Sequence, residues 1–171
     1  MKQHRNPSMP HGVGRTCRAL RVARVLSMAV AVGLVACNGT PFQVVEDVEF
    51  AASLGIDLAQ MERLPSGVYI ADEAVGTGRP VTSTSDVRVT YEGFLTDGTK
   101  FGEGPLRFVL GTRSVIAGFE LGLIGAFEFG TRWMVVPPAL AYGDAEQKTI
   151  PPGSVLVFRV TVDEVYDDTP E

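Results

Sequence analysis

From Ser66 onward the sequence reads as a succession of short strands, and its apolar period turns helical only once, between Ser114 and Gly125. Val87 to Leu95 is the clearest strand. Side chains alternate across a strand, so Val87, Val89, Tyr91 and Leu95 share one face. Gly67 to Glu73, Leu106 to Leu110, Trp133 to Val136 and Val155 to Val165 read the same way, the last gathering Leu156, Phe158, Val160 and Val162. Asp97-Gly98 supplies positive-φ residues for a tight hairpin turn. Pro137-Pro138, which cannot donate ladder bonds, stops the strand before it. In the exceptional stretch Ile116, Phe119 and Leu123 recur at i, i+3 and i+7, one face of a short helix with Ser114 or Thr112 as its cap. Five or six antiparallel strands around one helix make an α+β domain.

Ahead of that domain the chain changes character. Six basic residues (Lys2, Arg5, Arg15, Arg18, Arg21, Arg24) and no acidic ones precede Val25. Nine of the 15 basic residues remain beyond it against all 20 acidic ones, a net of −11 behind an overall −5. Such a domain repels nucleic acid and anionic headgroups. Val25 to Ala36 is uncharged, too short to span a bilayer as a helix and right for the core of a secretory signal. Leu34-Val35-Ala36-Cys37 resembles the lipobox of bacterial lipoproteins, in which the cysteine carries the lipid. The expected organisation is therefore a signal peptide over 1–36, a lipidated Cys37 and tether over 37–65, and a folded domain over 66–171. Asn38 after the cysteine favours an outer-membrane anchor facing the periplasm, with Met9 a possible true start. Cleavage there would remove Cys17, His4 and His11, leaving no histidine and one acylated cysteine. That excludes disulfides, thiolate zinc sites and Cys- or Ser-His catalysis, and no cofactor is expected. Gly76-Thr77-Gly78 has no lysine at phosphate-loop spacing and reads as a turn.

The chemistry lies in three segments: Val115-Ile116-Ala117-Gly118-Phe119, Pro137-Pro138-Ala139-Leu140-Ala141-Tyr142-Gly143, and Ile150-Pro151-Pro152-Gly153 running on to Phe158. With Tyr91 and Phe101 they collect aromatic and aliphatic side chains without a nucleophile–base pair, which suits gripping an apolar group and changing its conformation. In order and spacing they resemble the FKBP-type peptidyl-prolyl cis–trans isomerases over roughly 66–166. That resemblance implies a half-barrel sheet wrapped across one helix and a site for proline-containing peptides of folding proteins. It places Tyr91, Phe101, Phe119, Tyr142 and Phe158 as pocket walls, Tyr91, Phe101, Tyr142 and Phe158 being the catalytic set. Val115 and Ile116 stand at the helix entrance and Ile150 closes the side. The Ile116 N–H and the Tyr142 hydroxyl would bond substrate carbonyls. Trp133 reads as cover for the sheet's outer face.

Two departures from the family pattern bear on activity. Gly102 stands where the family usually has aspartate beside the tyrosine hydroxyl, and Phe101 to Phe108 is about five residues shorter than usual. Leu106 replaces a frequent aromatic, and Glu103 is the acid left to reach inward. The expectation is reduced isomerase activity on envelope proteins. The alternative is a peptide-binding chaperone module of the same fold with little turnover.

Overall fold

The computed structural model describes residues 42–166. Six strands form one antiparallel sheet: β1 (Glu62–Arg63), β2 (Tyr69–Ala74), β3 (Asp86–Leu95), β4 (Lys100–Val109), β5 (Thr131–Val136) and β6 (Leu156–Tyr166). Their order is β1-β2-β5-β6-β3-β4, which leaves β4 and the two-residue β1 at the edges. The expected α+β class holds, with one α-helix, α1 (Ala117–Leu123), on the inner face among the described residues. Alternation sets the core: Val87 and Val89 of β3 and Leu156, Val160 and Val162 of β6 are buried with Met134, Val136 and Leu123.

The helix lies close on β5 because Gly118 and Gly122 present no side chain there. A Cβ at Gly118 would run into Val136 Cγ1, and one at Gly122 into the Met134 sulfur. Its C-terminal end is held by Arg132 of β5, 5% exposed, which donates to the carbonyls of Gly122 (3.0 Å), Ile124 (3.2 Å) and Gly125 (3.4 Å). The same guanidinium makes a fork with Asp72 of β2 at 2.6 and 3.1 Å, so a buried charge is paired and the last helix carbonyls have donors. Its N-terminal end departs from expectation. The N-cap is Ile116, extended and without a side-chain cap. Thr112 and Ser114 instead bond each other at 2.7 Å, and Thr112 donates to the Val109 carbonyl, tying the turn before the helix.

The hairpin between β3 and β4 also differs in detail. Gly98 has φ 87°, whereas Asp97 does not have positive φ. The Gly98 N–H closes the turn on the Leu95 carbonyl at 3.0 Å, the pattern of a turn followed by one left-handed glycine. Asp97 accepts the Thr99 N–H at 2.8 Å.

Residues 42–61 pack against the outer face of the sheet and 62–63 join it as β1, a closer attachment than a tether. Val45 and Leu54 are buried in a second cluster with Tyr69, Val135, Val155 and Val157. Gln43 ties this segment down: its N–H donates to the Gly153 carbonyl and its side chain accepts the Val155 N–H, at 2.9 and 2.8 Å. This cover explains why β6 is apolar on both faces around Val157. The signal-like segment and Cys37 lie outside the described residues.

Candidate functional site

Between the start of α1, β3, β4 and the loop after β5 lies a cavity of about 160 Å³ lined by Tyr91, Phe101, Leu106, Ser114, Val115, Ile116, Phe119, Tyr142 and Phe158. Seven residues expected in the site (Tyr91, Phe101, Val115, Ile116, Phe119, Tyr142, Phe158) thus meet there. Ile150 does not line it; it is buried in the core behind, its N–H turned to the Gln147 carbonyl at 3.1 Å.

The floor is an edge-to-face stack of rings. Phe158 stands against Phe119 (5.2 Å, 84°) and Phe101 (5.6 Å, 88°). Tyr91 meets Phe119 at 6.1 Å and Phe158 at 6.5 Å. Such contacts add about 0.5–1.5 kcal/mol per pair beyond area burial and fix ring orientation. Phe108 supports Phe119 from behind at 5.9 Å.

Phe101 owes its place to two features of the strands. β3 pairs Gly93 with Gly102 and Phe94 with Lys100, so Phe101 is the extra residue of a bulge. Its ring turns over Gly93, where a Cβ would stand 2.6 Å from it. Gly93, which had no role beyond its strand in the sequence, thus makes room for a cavity wall. A glycine inside an otherwise regular strand is the signal of such close approach. Leu106, expected where the family often has an aromatic, also lines the cavity, as does Ser114, expected only as a helix cap.

Two residues lining the cavity carry donors without a partner among the described residues: Ile116, whose N–H precedes the first helical turn and lies outside its ladder, and Tyr142, whose hydroxyl is on a side chain 38% exposed. The Tyr91 hydroxyl is likewise unbonded among these residues. Gly102 faces it, since a Cβ there would lie 3.3 Å from the hydroxyl oxygen. Glu103 does not replace the missing acid. It points outward to Lys100 at 2.7 Å, and Lys100 also holds Glu92 at 2.7 Å. Glu103, more than Glu92, raises the Lys100 pKa, while Lys100 holds the Glu92 carboxyl below its usual range. The lining therefore has no charged side chain. Trp133 lies on the other face, stacked on Phe94 at 6.3 Å and donating to Glu73, as its expected covering role requires.

A family model described as FKBP-type peptidyl-prolyl cis-trans isomerase matches residues 77–163. FK506-binding protein 4 of Chaetomium thermophilum is 39% identical over 117 residues, 66% of this chain and 23% of its own. The 46 kDa FK506-binding nuclear protein of Spodoptera frugiperda is 38% identical over 112 residues, 62% of this chain and 27% of its own. This chain thus spans about a quarter of the length of these curated relatives. The crystal structure of FkpA from Escherichia coli superposes with a TM-score of 0.58 at 31% identity, covering 67% of this chain and 55% of that one. The expected outer-membrane, lipid-anchored location is corrected by the curated relatives, which are eukaryotic FK506-binding proteins, one of them named as nuclear. The family match runs through both strands and the helix that build the cavity, and every lining residue falls inside it. On that match the chain belongs to the FKBP-type peptidyl-prolyl cis–trans isomerase family.

Proposed function

We propose that this domain binds proline-containing peptide segments and isomerises their X–Pro bonds in the aromatic cavity, without covalent chemistry. One observation supports this above the others: five rings (Tyr91, Phe101, Phe119, Tyr142, Phe158) and an open Ile116 N–H converge on one uncharged cavity. Rotation about the amide is slow because it breaks resonance, a barrier of roughly 18–20 kcal/mol. A catalyst must favour the twisted amide over both planar forms. The twisted amide has less charge separation, so it loses less than the planar forms on leaving water for a ring-lined cavity. Phe119 and Phe158 hold the proline ring, Val115 and Ile116 flank the entrance, and the Ile116 N–H and Tyr142 hydroxyl anchor substrate carbonyls. Tyr91 and Phe101 form the remaining walls. Lowering the barrier by about 8 kcal/mol would give roughly a millionfold acceleration.

A protease-coupled assay of the full chain with a Leu–Pro peptide tests the reading. Tyr142→Phe is expected to lower kcat/KM about fivefold to tenfold, the worth of one hydrogen bond. Its melting temperature should stay put, because the hydroxyl has no partner within the described protein. Wild-type activity no faster than the uncatalysed rate, alongside peptide binding, would favour the chaperone module instead. The unfilled side at Gly102 is the observation that favours that second reading.

A further inference from the structure

Resting on the isomerase reading, we propose that the Tyr91 hydroxyl donates a hydrogen bond to the substrate, and that Gly102 is the specificity-determining residue that leaves it free to do so. The consequence is a preference for peptides bearing a hydrogen-bond acceptor on the side chain before the proline.

The ring of Tyr91 is fixed by Phe119 and Phe158, so its hydroxyl has a set position in the β3–β4 wall. No residue among those described accepts from it or donates to it. A Cβ at Gly102 would already approach it to 3.3 Å, and any longer polar side chain there would claim it. The two nearby acids are held outside by Lys100. At Gly104 a Cβ would meet nothing within 4 Å, so the wall beyond Gly102 is open.

The substrate geometry decides what fills that opening. The carbonyl of the rotating bond belongs to the residue before the proline, which must therefore enter with the ring. Floor and helix side are occupied by aromatic rings and by Val115 and Ile116, and Phe101 and Leu106 line the β4 wall, so the side-chain-free stretch at Gly102 and Gly104 is left for its side chain. An apolar side chain there strips water from the Tyr91 hydroxyl and gives nothing back. An amide or carboxylate oxygen replaces the lost bond. Discrimination of this kind is strong because the site's polar group is otherwise left unpaired.

Glutamine and methionine have nearly the same length and shape, so peptides with Gln–Pro and Met–Pro isolate the acceptor. With the full chain, kcat/KM is expected to favour Gln–Pro at least fivefold. Tyr91→Phe should bring the ratio to about one, and so should Gly102→Asp, whose carboxylate takes the hydroxyl. In the Gly102→Asp background, Tyr91→Phe should not change the ratio further. Melting curves confirm that each variant is folded. A wild-type ratio of one, or a preference that survives Tyr91→Phe, overturns the inference. The same two peptides, fluorescently labelled, are titrated by anisotropy. If turnover is absent but Gln–Pro binds at least fivefold more tightly and Tyr91→Phe removes the difference, the isomerase reading fails and the Tyr91 assignment stands. Equal affinities in that case overturn this inference as well, and failure to bind either peptide overturns both.

Discussion

On the helix side of the cavity glycine lets two elements touch; on the β4 side it leaves a gap. Gly118 and Gly122 face Val136 and Met134 so closely that a methyl group cannot be added without displacing buried side chains. A methyl group at Gly102 would come no closer than 3.3 Å to any neighbour, the nearest being the Tyr91 hydroxyl oxygen, and at Gly104 it would meet open space. One wall is locked, with Arg132 holding the helix end to β2 and β5, while the other is an edge strand with a bulge. The same residue type serves packing in one place and vacancy in the other, and only the neighbouring atoms tell them apart.

The largest effect is expected where both walls share a support. Phe158 is 4% exposed and touches rings from each, so Phe158→Ala should cost about 3–5 kcal/mol, measured by urea unfolding. A loss under 1 kcal/mol would show that the two walls stand independently.

Next comes the locked wall itself. Gly118→Ala gains about 1 kcal/mol of helix propensity, but it forces a methyl into Val136 and to within 3.2 Å of the Leu140 carbonyl oxygen. Overpacking should win, with a net loss of about 2 kcal/mol. An unchanged or higher melting temperature would mean that the helix can lift from β5.

A smaller, pH-dependent effect is expected at Glu128, in the connection that carries the helix into β5. Its buried carboxylate accepts the Val165 N–H at 3.0 Å and the Arg79 N–H at 3.4 Å. The Val165 amide above all, then Arg79, holds its pKa below the usual 4.5. A depressed pKa stabilises the fold fully above the unfolded value and loses that contribution as pH falls through the folded one. Glu128→Gln should therefore cost about 1–2 kcal/mol at pH 7 and flatten the acid limb below about pH 4.5. Unfolding midpoints at pH 7, 4.5 and 3 would show it; parallel limbs for the two proteins would refute it.

The smallest change is expected at the open wall. Gly102→Ala, outside the positive-φ region, brings a methyl to 3.3 Å from the Tyr91 hydroxyl oxygen, a tight but single contact with the tip of a side chain, and should shift stability by less than about 1 kcal/mol. A penalty as large as that of Gly118→Ala would erase the distinction between the walls.

Much of the frame was legible in the chain. The alternation in Val87 to Leu95 and the change of period at Ile116, Phe119 and Leu123 located β3 and α1, because both patterns are local. The aromatic members of the site were legible only through their order along the chain. What could not be read depends on cross-strand partners. Phe101 turns inward because β3 and β4 slip by one residue at Gly93, and Ile150 sits behind the cavity because its loop folds back on Gln147. Val45 and Leu54 look like isolated apolar residues until Val135 and Val157 are seen to need cover. The hydroxyls of Thr112 and Ser114 had two bonding choices, and the preceding turn took them.

The exposed ends of the sheet bear on solubility. A chain proposed to handle unfolded segments meets sticky β-prone sequence, and an unprotected border strand would template its own aggregates. Here one border is two residues long, and the other contains Pro105, which offers no N–H, flanked by Lys100, Glu103 and Arg107. Both traits discourage strand addition. The open wall proposed to admit a client side chain is therefore built on a strand whose backbone resists fusing with the client's own.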